Sequence, residues 1–330
     1  FNAVAPEQIE MFGREYHSSA IYSYSLTFAF ILVAILSPLL SGIADYSGNK
    51  KRFLQFFALL GSLSCMSLFF FDGENVLFGL IMSVLASVGF WGSIVFYNAF
   101  LPDIAPPEEQ DELSARGFSL GYVGASLLLI LNLATISMPE TFGFADSGSA
   151  TRFSFLLVGV WWIGFAQVTF RRLPNNVYQK KPKDERYFFR GFKELRTVAA
   201  QINELKPLRR FLYSFFFFST GVQTVILLAS LFGDQELGLD SNKLIGTILI
   251  IQFVGIAGAQ LFSWISKRSG NLQALKISIA VWTVICVLAY LLQADDPLVE
   301  YKFYFIGALV GLVMGGIQSI SRSTYSKLLP

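Results

Sequence analysis

The feature that most constrains this chain is a series of nine apolar blocks, each close to the length that crosses a lipid bilayer. A transmembrane helix needs about 20 residues. Hydrophobic residues make up 54% of the chain and charged residues 15%, whereas a soluble domain usually carries about 25% charged residues. The apolar runs are continuous rather than alternating, which excludes barrel strands. We therefore predict membrane-spanning helices at 18–43, 53–71, 76–101, 115–138, 152–170, 209–232, 242–265, 273–293 and 302–320.

The positions of lysine and arginine predict which helix ends face the cytoplasm. One set of connections holds 21 of the 25 basic residues, and the opposite set holds only Arg14, Arg152, Lys243 and Lys302. By the positive-inside rule the basic set is cytoplasmic. The longest connection belongs to that set, and its second half, 186–205, has an amphipathic helical pattern. We expect this helix to lie on the membrane surface, the alternative being a soluble linker helix.

Two pairs of short segments indicate an internal duplication. Residues 45–49 (DYSGN) match 267–271 (KRSGN), and residues 97–102 (YNAFLP) match 325–330 (YSKLLP). Both pairs keep the same order and end helices that run in the same direction, as a parallel repeat requires. We predict an N-terminal helix bundle at 1–170, a basic cytoplasmic linker at 171–208 and a C-terminal helix bundle at 209–330.

Residues 39–51 (LLSGIADYSGNKK) resemble the loop signature of the major facilitator superfamily, which joins helices two and three of a twelve-helix plan. Asn49 departs from it, since the superfamily usually has arginine there. Other segments resemble the vacuole-effluxer branch, whose fungal members export amino acids from the vacuole. These segments are 96–105, 115–122, 221–224 and 315–325.

This resemblance implies an all-α polytopic bundle, the major-facilitator fold without its first and last two helices. It also implies a multi-pass protein of the bacterial inner membrane, or of the vacuolar membrane if the source is fungal. The implied function is alternating-access transport of small organic solutes, with amino acids as the favoured class, a proton as a candidate coupling ion and membrane lipid as a further partner. The alternative is a non-transporting receptor or scaffold on the same fold. Ser219 and Thr220 stand where relatives often have an acid, so no coupling role is carried over.

The resemblance also implies a set of gating residues at the cytoplasmic helix ends. The loop carboxylate of Asp45 would cap the positive N-terminal end of a neighbouring helix, and a loop base such as Lys50 would pair with Asp103. Ordinary cytoplasmic charge beside a solvated acid is the alternative. The whole predicted set is Asp45, Gly48, Lys50, Asp103 and Arg116.

The candidate solute-binding residues are neutral, because no charged side chain lies near the middle of a predicted span. Such a charge would be the default coupling or substrate site. Amides can bond both ends of a zwitterion, or they can join neighbouring helices instead. The candidates are Gln223, Thr224, Gln252, Trp91 and Asn132, with Asn98 and Gln318 near the inner mouth.

Two further expectations concern packing and chemistry. Glycines recur every four residues at Gly307, Gly311 and Gly315, and this pattern predicts close helix contact. A similar contact is predicted in the fourth span from Gly117, Gly121 and Gly124. The chain has one histidine and shows no nucleophile triad, metal-ligand cluster or phosphate-binding loop. We therefore expect no enzyme activity, cofactor or metal, and no nucleic-acid partner.

Overall fold

A computed structural model of the chain describes residues 4–11, 13–175, 200, 202 and 204–329, with positions 11, 45–47 and 241 described by backbone alone. Among these residues, nine helices are long and apolar enough to cross a membrane, and the chain is a multi-pass membrane protein. Each predicted span overlaps one of them. The helices are α1 (Ser18–Ser47), α2 (Lys50–Ser67), α3 (Val76–Asn98), the short α4 (Leu101–Ile104), α5 (Gln110–Ser137), α6 (Ser147–Arg172), α7 (Lys206–Gln235), α8 (Ser241–Ser269), α9 (Asn271–Tyr290) and α10 (Val299–Leu328).

Several helices continue past their apolar segments. Helix α5 is the clearest case, since it begins at Gln110 and carries Asp111 and Glu112 in its first turn, ahead of the predicted start at 115. Backbone hydrogen bonding does not stop where hydropathy falls, and acids are favoured at a helix N-terminus. The predicted surface helix at 186–205 lies almost wholly outside the described residues.

A short hairpin precedes the first helix, and the sequence analysis did not predict it. Strand β1 (Gln8–Met11) pairs antiparallel with β2 (Arg14–His17), and Gly13 in the turn has a φ of 73°. Ile9 is buried against Ile21 of α1 and Leu80 of α3. The hairpin is thus packed on the helices of the first part of the chain.

Helix α6 begins with a capping box. The Ser149 amide donates to Asp146 Oδ1 at 2.6 Å, and the Ser149 hydroxyl lies 3.2 Å from the Asp146 amide. The hydrogen bond from the Ser149 amide lowers the pKa of the Asp146 carboxyl. The pair satisfies amides that the first helical turn leaves without partners.

The chain divides into two compact units. The first comprises Phe1–Phe100 and Leu128–Gln201, and the second comprises Leu101–Leu127 and Ile202–Pro330. Helix α5 contributes to both, with residues 110–127 in the second unit and 128–137 in the first. The two bundles expected from the repeat have other boundaries and stay a prediction.

Glycines bring α2, α3 and α6 together in the first unit. A Cβ at Gly89 would lie 2.3 Å from the Cα of Gly61, and a Cβ at Gly61 would lie 2.1 Å from the Trp162 ring. Neither position has room for a side chain, so these helices are in close contact. Stacked rings of Phe57 and Phe96, 5.8 Å apart, lie in the same apolar core.

Glycines also bring α8 and α10 together in the second unit. A Cβ at Gly311 would lie 2.6 Å from the Ile251 carbonyl oxygen, and one at Gly315 would lie 2.4 Å from that of Gly255. A Cβ at Gly307 would lie 2.6 Å from the side chain of Thr247. The packing prediction for Gly307, Gly311 and Gly315 is confirmed.

The matching prediction for α5 is wrong at Gly121. An added Cβ there would have nothing within 4 Å, because this side of α5 is exposed. Gly117 and Gly121 are four residues apart, as Gly307 and Gly311 are, but close contact also requires a facing backbone.

Candidate functional site

The first turn of α5 carries a buried carboxylate that contacts three other helices of the second unit. The Asp111 side chain is 4% exposed, and its Oδ2 lies 2.8 Å from Nζ of Lys327 on α10. The same oxygen accepts from the Ser266 hydroxyl of α8 at 2.7 Å, and Oδ1 accepts from the Asn271 amide of α9 at 2.8 Å. We call Asp111, Ser266, Asn271 and Lys327 the Asp111 cluster.

Asn271 organises this cluster. Its Nδ2 also donates to the Thr324 hydroxyl at 3.1 Å, and its Oδ1 accepts from Lys327 Nζ at 3.1 Å. A buried ion pair offsets its desolvation only when the remaining donors and acceptors are also satisfied. Asn271 supplies those bonds to both charged partners.

A more exposed group of charges surrounds the cluster. Glu112 contacts Arg116 within α5 and Lys267 at the end of α8. Arg116, a predicted gating residue, is therefore paired along its own helix. Exposed ion pairs of this kind contribute little to stability. The buried Asp111 cluster therefore contributes more than these pairs to the stability of this end of the unit.

Further along α5, polar side chains continue the contact with α8 and α10. The Ser114 hydroxyl donates to the Ser319 carbonyl at 2.8 Å, and the Ser119 hydroxyl donates to the Ile256 carbonyl at 3.1 Å. The Tyr122 hydroxyl donates to Gln318 Oε1 at 3.0 Å. We call the contacts of Asp111, Ser114, Ser119 and Tyr122 the α5 seam.

The α5 seam differs in kind from the contact between α8 and α10. Apart from the Asp111–Lys327 ion pair, the seam is made of separate side-chain hydrogen bonds, each commonly worth under about 1 kcal/mol between membrane helices. The α8–α10 contact is a continuous backbone approach through glycines. The two contacts therefore differ in chemistry, with polar side chains holding α5 and backbone packing joining α8 to α10.

Glycines at matching positions of the two loop segments both have a positive φ. Gly48 has a φ of 67°, and Gly270, its counterpart between α8 and α9, has a φ of 84°. Such positive φ values favour glycine. Asp45 lies in the last turn of α1, but its side chain is outside the described residues.

Two other predicted gating residues, Lys50 and Asp103, lie in α2 and in the short helix α4. Lys50 is buried at the start of α2, and its Nζ donates to the Ala99 carbonyl at 3.4 Å. This carbonyl follows the C-terminal end of α3, where a cation is favoured. Asp103 is half-buried in α4, and its pairing with a loop base stays a prediction.

Among the described residues, no hydrogen bond connects any two of the seven candidate solute-binding side chains. Gln318 is the one connected to α5, through Tyr122. The amide oxygens of Gln252 and Asn132 are buried and have no hydrogen-bond partner among the described residues. Their role in solute binding stays a prediction.

The other four candidates have simpler surroundings. Gln223 and Thr224 are exposed on α7, and the Thr224 hydroxyl donates to the Thr220 carbonyl at 2.9 Å. Trp91 packs edge-on against Phe30, with ring centres 5.8 Å apart. The remaining candidate, Asn98, is the last residue of α3.

Sequence reasoning missed the Asp111 cluster and most of the seam. Two signals for it were present. Acids follow Pro106 and Pro107 at a helix start, and Asn271 belongs to the second copy of the loop signature. Neither signal indicates that the start of α5 contacts the segment that contains Asn271.

The fold has counterparts among solved transporters. A bacterial homologue of the iron transporter ferroportin, in its outward-facing state, matches with a TM-score of 0.59 at 14% identity, over 95% of this chain and 76% of that one. The proton:xylose symporter XylE matches with a TM-score of 0.55 at 13% identity, over 92% and 75%. At such identities the likeness concerns the fold alone. The chain therefore has the fold of the major-facilitator transporters.

Sequence comparison gives the family. The family described as vacuole effluxer Atg22 like matches residues 3–330, and the chain belongs to it. The uncharacterized MFS-type transporter YxiO of Bacillus subtilis (strain 168) is 31% identical over 95% of this chain and 72% of its own length. Autophagy-related protein 22 of Coccidioides immitis (strain RS) is 25% identical over 99% of this chain. This chain spans 66% of that fungal relative.

Proposed function

We propose that this protein moves small organic solutes across the membrane by alternating access, with α5 as an element of the inner gate. The observation that carries this proposal is the α5 seam. A permanent contact between membrane helices is most simply made with small residues, as α8 and α10 make it. Helix α5 is held instead by a buried ion pair and separate hydrogen bonds, which can be broken and formed again.

The solute class follows from the neutral character of the candidate sites. No charged side chain lies near the middle of a predicted span, which disfavours a strongly charged solute. Unpartnered amide oxygens at Gln252 and Asn132 can accept hydrogen bonds from an ammonium group. We therefore propose zwitterions such as amino acids as the first class to test, and we propose no catalytic activity.

Counterflow in proteoliposomes tests this proposal. Full-length protein would be reconstituted with unlabelled amino acids inside, and entry of the labelled amino acids would be followed from outside. We expect accumulation several-fold above protein-free vesicles for at least one member of the panel. A proton gradient is the first driving force to impose, because the structural neighbour XylE is a proton symporter.

The contradicting outcome is equally defined. If amino acids, sugars and organic acids all equilibrate no faster than in protein-free vesicles, in either direction, the transport proposal fails. The alternative function, a non-transporting receptor or scaffold on the same fold, would then be favoured.

A further inference from the structure

The start of α2 and the end of α6 meet at one corner of the first unit. Lys51 Nζ, in the first turn of α2, donates to the Leu173 carbonyl at 2.9 Å and to Asn175 Oδ1 at 2.6 Å. Leu173 directly follows α6, at a helix end where a cation is favoured and carbonyls need partners. Lys51 therefore holds the two helix ends together.

Three exposed arginines adjoin this contact. Arg52 follows Lys51 in the chain, and Arg171 and Arg172 directly precede Leu173. Within the described part of the chain, no ion pair includes any of these three arginines. The corner therefore carries three positive charges that the described residues do not neutralise.

Exposed apolar side chains continue from these arginines along both helices. On α2, Arg52, Phe56 and Leu59 share one helical face by their spacing of four and three residues, and both apolar side chains are exposed. On α6, Phe165 and Val168 precede the two arginines and are also exposed. Both helices are long and apolar enough to span the membrane, so these faces are suited to contact with lipid acyl chains.

We propose that this corner binds an acidic phospholipid, with its headgroup at the three arginines and its acyl chains along the exposed faces of α2 and α6. A guanidinium group forms paired hydrogen bonds with phosphate oxygens. The positive-inside prediction places the corner at the cytoplasmic leaflet, whose anionic lipids attract basic groups. A free anion would use the arginines alone, so the apolar faces favour a lipid. This site does not depend on the proposed transport.

Native mass spectrometry of the delipidated full-length protein, in an uncharged detergent, tests the site with two lipids of identical acyl chains. Phosphatidylglycerol has a net negative charge, whereas phosphatidylcholine has the same phosphate and no net charge. We expect phosphatidylglycerol to bind at least about fivefold more tightly, because one arginine near an anionic surface contributes about that factor. Equal affinity for the two lipids would overturn the proposal.

Matched substitutions assign the binding to this corner. Arg52→Gln and Arg171→Gln remove exposed charges that form no ion pair among the described residues, so the fold should tolerate both. Each should lower the affinity for phosphatidylglycerol about fivefold. Lys276→Gln is the control, since Lys276 is an exposed cation of α9 in the second unit, and it should leave the affinity unchanged. If neither arginine substitution weakens binding more than Lys276→Gln does, the proposal fails.

Glycerophosphoglycerol, which is the same headgroup without acyl chains, distinguishes a lipid from a free anion. We expect it to bind at least about tenfold more weakly than phosphatidylglycerol, because it makes no contact with the apolar faces. Equal affinity of the two would show that the arginines bind a free anion, and the lipid site would be refuted.

Discussion

At the scale of single residues, Asp111 shows what a sequence can and cannot reveal. An acid in the first turn of a helix is expected from the helix dipole alone, and a solvated carboxylate would satisfy the same pattern. Its contacts with Ser266, Asn271 and Lys327 depend on which helix ends meet. Arg116 pairs with Glu112 on its own helix, and its gating role stays a prediction.

The Asp111–Lys327 pair should show strong coupling in a double-mutant cycle. Asp111→Asn leaves the Lys327 ammonium, 25% exposed, without its counter-charge, so the free energy of unfolding should fall by about 1–3 kcal/mol. Adding Lys327→Met should cost much less than the same change in the unmodified protein. The measurement is unfolding in mixed micelles.

The control for this cycle is Glu112→Gln, which removes a more exposed charge and should leave the unfolding free energy nearly unchanged. Additive effects of Asp111→Asn and Lys327→Met would show that the two groups do not interact.

At the scale of helices, the membrane spans could be predicted from the sequence because the bilayer restricts the backbone to few structures. Every backbone amide in the hydrocarbon region must be paired within the segment, so a long apolar run predicts a helix almost without further information. The β1–β2 hairpin was missed because four-residue strands carry too little pattern. Glycine spacing predicted close helix contact less reliably, since the prediction was right for Gly311 and wrong for Gly121.

Alanine substitutions should separate those two kinds of glycine. A Cβ at Gly258 would lie 2.1 Å from the Leu312 carbonyl oxygen, so Gly258→Ala forces α8 and α10 apart. We expect it to lower the unfolding free energy by about 1–3 kcal/mol. Gly121→Ala meets no neighbour within 4 Å and should be neutral or raise the free energy by up to about 1 kcal/mol. Equal effects of the two substitutions would contradict the packing described for α8 and α10.

At the scale of the whole molecule, the family and the fold agree while the mechanism remains a proposal. The positive-inside orientation and the two-bundle division from the repeat are still predictions, because charge and short sequence matches do not report which surfaces meet. The candidate solute-binding residues were chosen as neutral polar groups in apolar spans. That rule found unpartnered amides at Gln252 and Asn132, but it passed over Tyr122, which reads as an ordinary aromatic membrane residue.

The central claim is that α5 must separate from α10 during transport, and a reversible cross-link tests it most directly. Ser114→Cys with Ser319→Cys would join the two helices where the Ser114 hydroxyl meets the Ser319 carbonyl at 2.8 Å. Ser278→Cys with Val313→Cys is the control, since it joins α9 to α10 across a similar hydroxyl–carbonyl contact of 3.4 Å. Cys65 and Cys286 would first be replaced by alanine.

The account predicts that oxidation of the 114–319 pair abolishes counterflow, that reduction restores it, and that the oxidised 278–313 pair keeps full flux. Undiminished flux through protein that mass spectrometry shows to be fully cross-linked at 114–319 would contradict it.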